Sequence, residues 1–373
     1  MPTLIQRHEI LIGHPLLSDV RDRNNILLAR AGWVVENERE RDALFARRAY
    51  WATPVRPLTP DSVKDELPLI GAKAPRVYEF LNYRLERISR NVETISNFES
   101  YLFDLVKVIR DSLSRQYDAL LAQVMLGAYP RYSIRHAIDT AILVEAMGIE
   151  SGHPVGVRNT MTCAALTMNI SMLEMQDKLR DIAGELPESV LAMVKEHPKR
   201  SVGMLKKAGI TNQSWLTAVD QHHERLDGAG YPKGLRDQSI SLEAQFVAAA
   251  DVLLARMAPA AYKGAETPAK AFWGAYESRG VDIRQDALTA AIKAMGLYPP
   301  GTLVRLANYD LAVVISRGKE ISKPIAASIV GERGLVLPSP LPRDTSDEDY
   351  AVAAVVDPAR VGLTINTDVL WPG

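Results

Sequence analysis

Downstream of Pro75, apolar residues return every three or four positions for most of the chain, and no other feature narrows the possible folds as much. Tyr78, Leu81, Leu85, Ile88, Val92 and Ile95 recur in this way, as do Leu102, Leu105, Ile109 and Leu113. Such spacing gathers apolar side chains on one face of an α-helix. This lead, residues 76–115, suits core helices, with a homodimerising surface as the alternative. The periodicity continues through Ala137–Met147, Met161–Leu166, Val190–Val194 and Leu242–Met257. Interhelix loops are expected at Gly148–Pro154, Gly184–Pro187 and Gly209–Gln213. Residues 116–298 should therefore be a helical domain.

Both ends break the pattern. Residues 1–55 carry short apolar runs, Ile10–Ile12 and Ile26–Ala29, around a polar turn at Arg21–Asn25. They suit a small β-rich element, with a short exposed helix in the charged stretch Glu38–Arg48. Pro54, Pro57, Pro60, Pro68 and Pro75 remove backbone donors and fix extended φ, so residues 56–75 are expected to be a linker. After Pro299, Leu303–Leu306 and Leu311–Ile315 flank the polar Asn308–Asp310, which predicts a hairpin. Ile325–Val330 and Ala351–Val356 supply further strands, with acidic Asp344–Asp349 as an exposed loop. Residues 299–373 form a C-terminal β-rich extension. The expected class is mainly α: a helical bundle flanked by small β-rich elements.

Charge balance narrows the function. The 373 residues sum to a net charge of −1, which gives no bulk attraction to nucleic acid or to a membrane surface. The single cysteine, Cys163, excludes an internal disulfide and suits a reducing compartment. Near the N-terminus, Arg7, His8 and Glu9 interrupt any signal-peptide core, and no apolar run approaches the ~18–20 residues that span a bilayer. A cytoplasmic location is the expectation. There is no Gly-rich phosphate loop of the GxGxxG or Walker type.

One stretch is chemically dense: Gln221–Leu235, QHHERLDGAGYPKGL. His222 and His223 offer imidazole ligands, and Asp227-Gly228-Ala229-Gly230 has the turn chemistry to fold a loop back towards them. A surface loop with incidental histidines would also account for an isolated His-His, but not for the rest of the string. This string resembles the signature of the HD-GYP family, bacterial metal-dependent phosphodiesterases that act on the second messenger cyclic di-GMP. The match covers His222, His223, Glu224, Arg225, Asp227, Gly228, Gly230, Tyr231, Pro232, Gly234 and Leu235, and the resemblance extends over residues 116–298.

The resemblance implies an HD-type bundle in which histidines and aspartates from several helices hold two or more metal ions. Its late positions are present: His197 in a His-Pro pair, His222, His223, and Asp251 within FVAAADVLLARM. Its early positions are replaced. Met168 and Asn169 stand for the His-Asp doublet, Met172 for the lysine that follows, and Tyr132 for the first histidine. His136 lies four residues beyond Tyr132, on the same helix face but about 6 Å along the axis, a displacement that argues against its serving as a substitute ligand. Three imidazoles can hold one borderline ion, whereas methionine and tyrosine are poor ligands for a hard, water-activating centre. The expectation is at most one divalent ion (Fe, Mn or Zn), held by His197, His222 and His223, with Asp251 as the remaining family ligand.

Three functions stay open. The first is a regulator in cyclic di-GMP signalling that has lost efficient hydrolysis. It would bind the nucleotide, or a diguanylate cyclase-type or other signalling partner, through the loop residues Glu224, Asp227, Gly228, Gly230, Tyr231 and Pro232. The second is an active phosphodiesterase with a single metal. The third is an interaction module without nucleotide binding. Lys178, Arg256 and Lys263 are candidate phosphate contacts, or simply solvated helix charges.

Overall fold

The chain divides into two units, Met1–Ile70 and Gly71–Gly373. The computed structural model describes all residues except 1–2, 6–9, 11–15, 17–19, 24–25, 31–32, 34, 52–70, 128, 181, 183, 185, 259–264, 358–360, 362–364 and 373. Most of the expected linker 56–75, part of Ile10–Ile12 and of the turn Arg21–Asn25, and Lys263 lie outside the described residues.

In the first unit, strands β1 (Thr3–Leu4), β2 (Val20–Arg21) and β3 (Leu27–Ala29) precede helix α1 (Glu38–Ala46) and strand β4 (Tyr50–Trp51). They form an antiparallel sheet in the order β1-β4-β2-β3. Ile5, Ile10, Leu16, Val20, Val35 and Leu44 fill its core. The α1 start is set by Asn37, whose side chain accepts from the Glu40 N–H and so satisfies a free donor of the first turn.

The second unit opens with α2 (Ala74–Arg90), and Pro75 falls in its first turn, where a missing N–H costs nothing. Helix α3 (Phe98–Leu126) runs straight through the boundary expected at residue 115, bending at Gln116 (φ −146°, ψ 55°). The Gln116 side chain donates to the Ala72 carbonyl at 2.9 Å. The apolar stripe of residues 76–115, a candidate dimer surface, is largely used within the chain: Tyr78, Leu81, Leu85, Ile88, Leu102, Leu105 and Ile109 are all buried.

Next come α4 (Tyr132–Glu150), α5 (Val155–Thr167), α6 (Leu173–Leu179), α7 (Glu188–Lys207), α8 (Gln213–Gln221), α9 (Leu242–Met257), α10 (Pro268–Glu277) and α11 (Gln285–Met295). Helix α4 is buried on nearly every side between Ser133 and Gly148, so its polar residues must find partners inside the protein. Helix α9 packs against it, with small buried residues at Ala244, Ala249 and Ala250 allowing close approach. Gly148, expected to open a loop, lies inside α4. A Cβ there would stand 2.8 Å from Cγ of Arg158, so glycine lets α5 pack close while the helix continues to Glu150.

The extension is a five-stranded antiparallel sheet, β5 (Leu303–Leu306), β6 (Leu311–Glu320), β7 (Lys323–Val330), β8 (Val336–Asp344) and β9 (Val352–Val355), followed by α12 (Thr367–Leu370). Its order is β8-β7-β6-β5-β9. The expected hairpin is present, with Leu303 opposite Val313. Arg317 on β6 ties the sheet to the bundle through Asp118 (3.1 Å) and Glu150 (2.7 Å), with its guanidinium over the Tyr117 ring. Among the described residues no helix is long and apolar enough to cross a membrane.

Candidate metal centre

His197 owes its orientation to the proline that follows it. Pro198 sits inside α7 and has no N–H, so the Val194 carbonyl four residues earlier loses its helical donor. The Nδ1 of His197 takes that carbonyl at 2.6 Å. His222 follows the last residue of α8, where backbone carbonyls also lack helical partners, and its Nδ1 meets the Val219 carbonyl at 2.7 Å. A carbonyl only accepts, so both Nδ1 atoms carry the proton and both Nε2 atoms present lone pairs.

Those two Nε2 atoms face each other at 3.2 Å, with the His223 ring 4.1 Å from that of His222. One donor atom from each of His197, His222 and His223 lies within 4.8 Å of the others. Burial pushes the His197 imidazole down to about 3, and it lowers His222 and His223 as well, so all three are neutral bases at neutral pH. Two lone pairs held face to face repel unless a cation lies between them. Nitrogens bound to one Zn-like ion at 90–110° stand about 2.9–3.4 Å apart, so the residues fit a divalent ion. Asn169 follows α5, is buried, and its Oδ1 has no partner among the described residues. It offers a neutral oxygen where the family resemblance calls for a bridging carboxylate.

The loop after His223 is braced from within. Glu224, expected among its partner-facing residues, is buried and accepts from the N–H groups of Lys233 (2.7 Å) and Leu235 (2.9 Å). It is a strut for the loop. Asp227 accepts from Ala229 N–H at 2.8 Å and from Arg225 at 3.0 Å. At Gly230 a Cβ would lie 2.4 Å from the Arg225 nitrogen and 2.5 Å from the His223 carbonyl oxygen, so only glycine allows this approach. Gly228 has φ +78°, the left-handed region glycine favours. Tyr231 lays its ring 4.7 Å from that of His223, and Pro232 lines a groove with Lys199, Lys206 and Lys233.

The other half of the site differs from expectation. Asp251 on α9 stands outside the histidine cluster: its Oδ1 meets His136 Nε2 at 2.6 Å. Burial raises the Asp251 carboxyl, but the hydrogen bond from His136 leads the influences that outweigh it and hold the group well below the usual carboxylate range. His136, disfavoured from sequence as a substitute ligand, is the residue that engages Asp251. Tyr132 stacks on His136 with centroids 5.2 Å apart, and its hydroxyl lies 3.3 Å from His136 Nδ1. Met168 and Met172 are buried and add no charged ligand.

Of the candidate phosphate contacts, Lys178 is exposed and lines a cleft with Arg131 and Arg200. Arg256 instead pairs with Glu266 at 3.1 Å and packs against Gly274, so its charge is already matched. Sequence reasoning missed Asp177 and Arg180. Asp177 on α6 accepts from Ser133 N–H (2.7 Å), Ser133 Oγ (3.0 Å) and Arg131 (3.0 Å), which caps the first turn of α4. Arg180 lies over the Tyr132 ring at 3.7 Å. Neither carries a local signal; the pairing appears only when α6 meets α4.

Residues 109–279 match the HD domain family. Among curated proteins, the chain is 28% identical over 296 residues, 78% of its length, to a cyclic di-GMP phosphodiesterase of Pseudomonas aeruginosa. It is 28% identical over 49% of its length to cyclic di-GMP phosphodiesterase PdeB of Borreliella burgdorferi. A 3'3'-cGAMP-specific phosphodiesterase of Vibrio cholerae is 29% identical over 39% of the chain. These alignments span 69%, 48% and 34% of the respective relatives. Among solved structures, Bd1817, an HDG"Y"P protein of Bdellovibrio bacteriovorus, superposes with a TM-score of 0.53 over 79% of this chain and 99% of that one at 16% identity, a likeness of fold.

Proposed function

The chain belongs to the HD-GYP family, and from that premise we propose that it is a regulator in cyclic di-GMP signalling that binds the dinucleotide and no longer hydrolyses it efficiently. The observation that carries this reading is the 2.6 Å contact between His136 and Asp251. It gives Asp251, the carboxylate that the family pattern leaves for a second ion, a hydrogen-bond partner within the chain, while the bridging position is the neutral Asn169. A divalent ion at His197, His222 and His223 would polarise a phosphoryl oxygen and lower the pKa of a coordinated water. Attack and departure in a phosphodiester both develop charge on oxygen, and among the described residues the histidine cluster gathers three imidazoles for one ion. Its own residues favour holding the ligand: three neutral imidazoles, two of them locked by backbone carbonyls, and a loop braced by Glu224.

The test is direct. Full-length protein loaded with Mn²⁺ or Fe²⁺ should bind cyclic di-GMP and leave it intact, and robust formation of pGpG or GMP would overturn the reading. A second reading, a single-metal phosphodiesterase, draws on the same pre-oriented imidazoles. Metal-dependent turnover abolished by His222→Ala, with one ion per chain, would favour it.

A further inference from the structure

The half of the site without imidazole ligands ends in a cation that the metal reading does not use. Arg180 follows the last residue of α6 and is half-buried. Its guanidinium lies 3.7 Å above the Tyr132 ring, and among the described residues no carboxylate pairs with it. From Arg180 the contacts run inward as one column: Tyr132 stacked on His136 at 5.2 Å, then His136 on Asp251 at 2.6 Å. The column is held from the side by Asp177, which clamps α6 onto the start of α4 through Ser133 and Arg131. Arg131 and Lys178, which neighbour Tyr132 and Arg180 in the chain, line a cleft of about 590 Å³ against the turn after α5. Ser171, Met172, Met175 and Arg200 also line it, with Glu174 as its acidic member. Its size suits a small-molecule site.

A guanidinium carries five N–H donors in a fork that matches two phosphate oxygens, and a bond from Arg180 to Tyr132 leaves most of them to a ligand. Asp251 is hydrogen-bonded to His136 and Asn169 is neutral, so phosphate charge arriving there is met by the protein itself. We propose that Arg180, seated on Tyr132, forms a phosphate subsite that takes over charge neutralisation from a second ion. This inference rests on the reading of the chain as a cyclic-dinucleotide binder.

The experiment is calorimetric titration of full-length, Mn²⁺-loaded protein with cyclic di-GMP and, separately, with inorganic pyrophosphate. Wild type is compared with Arg180→Ala, Arg180→Met, Arg180→Lys and, as a control, Arg333→Ala, an exposed arginine of the β7–β8 turn. Arg180→Met keeps an apolar stem over Tyr132 should the alanine variant fail to fold, and bound Mn²⁺ reports an intact centre in each variant. The Ala and Met variants should weaken both ligands roughly ten- to a hundredfold, as expected for loss of a charge-assisted pair. Arg180→Lys should recover part of the loss and Arg333→Ala should match wild type. Unchanged affinity for both ligands in folded Arg180→Met would overturn the subsite and leave the cyclic di-GMP reading standing. Arg180-dependent pyrophosphate binding without cyclic di-GMP binding would do the reverse. Binding of neither ligand by wild type would overturn both.

Discussion

His136 and Asp251 lie 115 positions apart and meet inside the bundle at 2.6 Å, with α4 and α9 supplying one residue each. Both side chains are buried, so the imidazole N–H is what allows a carboxylate to persist there. Removing one partner of such a pair leaves an uncompensated charge. His136→Ala in chelator-treated protein should cost about 3–5 kcal/mol of unfolding free energy, and adding Asp251→Asn should restore much of it. Denaturant unfolding of the two single variants and the double variant measures the coupling. A loss below ~1 kcal/mol would mean that Asp251 has another partner.

Metal content follows from the same division of the site. The three-histidine cluster should bind one divalent ion per chain, and His197→Ala or His222→Ala should abolish tight binding, since three ligands are the fewest found in protein zinc sites. Elemental analysis of the purified protein, before and after dialysis against a chelator, reads the stoichiometry. Two tightly held ions per chain would contradict the assignment of Asp251 to His136.

How much of this was legible beforehand depended on whether the physics was local. The helices were, because buried faces repeat every three or four residues, and so was the β5–β6 hairpin around Asn308–Asp310. Strand β8 was not: Pro338, Pro340 and Pro342 argue against a strand, yet it lies at a sheet edge, where missing donors are tolerated. Gly148 suggested a loop because glycine also serves close helix packing. In the site, the three histidines were recognisable from their motifs. The partner of Asp251 was not, because the choice between Tyr132 and His136 is settled by how α4 and α9 pack, and Arg180 gave no sequence signal.

The His197-Pro198 pair makes a separate prediction. Pro198→Ala returns an N–H to the backbone, which can bond the Val194 carbonyl and compete with His197 Nδ1 for it. The variant should keep its fold, and α7 should gain a helical hydrogen bond. Metal affinity should fall roughly 10–100-fold, the usual effect of losing an orienting partner behind a ligating histidine. Mn²⁺ or Zn²⁺ titration followed by calorimetry would measure it. An unchanged affinity would show that packing alone orients the ring.

Glu86 links the site's scaffold to pH. It takes hydrogen bonds from Tyr129 and from Arg90 at 2.6 Å, and it lies 3.4 Å from Arg131, the same arginine that reaches Asp177 on α6. Burial raises the Glu86 carboxyl, but Tyr129, Arg90 and Arg131 outweigh it and leave it lowered overall. A carboxyl lowered in the folded state contributes stability above its unfolded value, about 4.3, and loses it as pH falls through the folded value. Glu86→Gln should therefore cost roughly 1–3 kcal/mol at pH 7, and the gap to wild type should close on acidification below about pH 4. Because Arg131 then loses its charged partner at residue 86 and keeps the one at Asp177, the hold of α6 on the first turn of α4 should also loosen, visible as faster amide exchange around Ser133. Urea unfolding of both proteins at neutral and acidic pH supplies the comparison, and a gap that does not change with pH would remove Glu86 from this role.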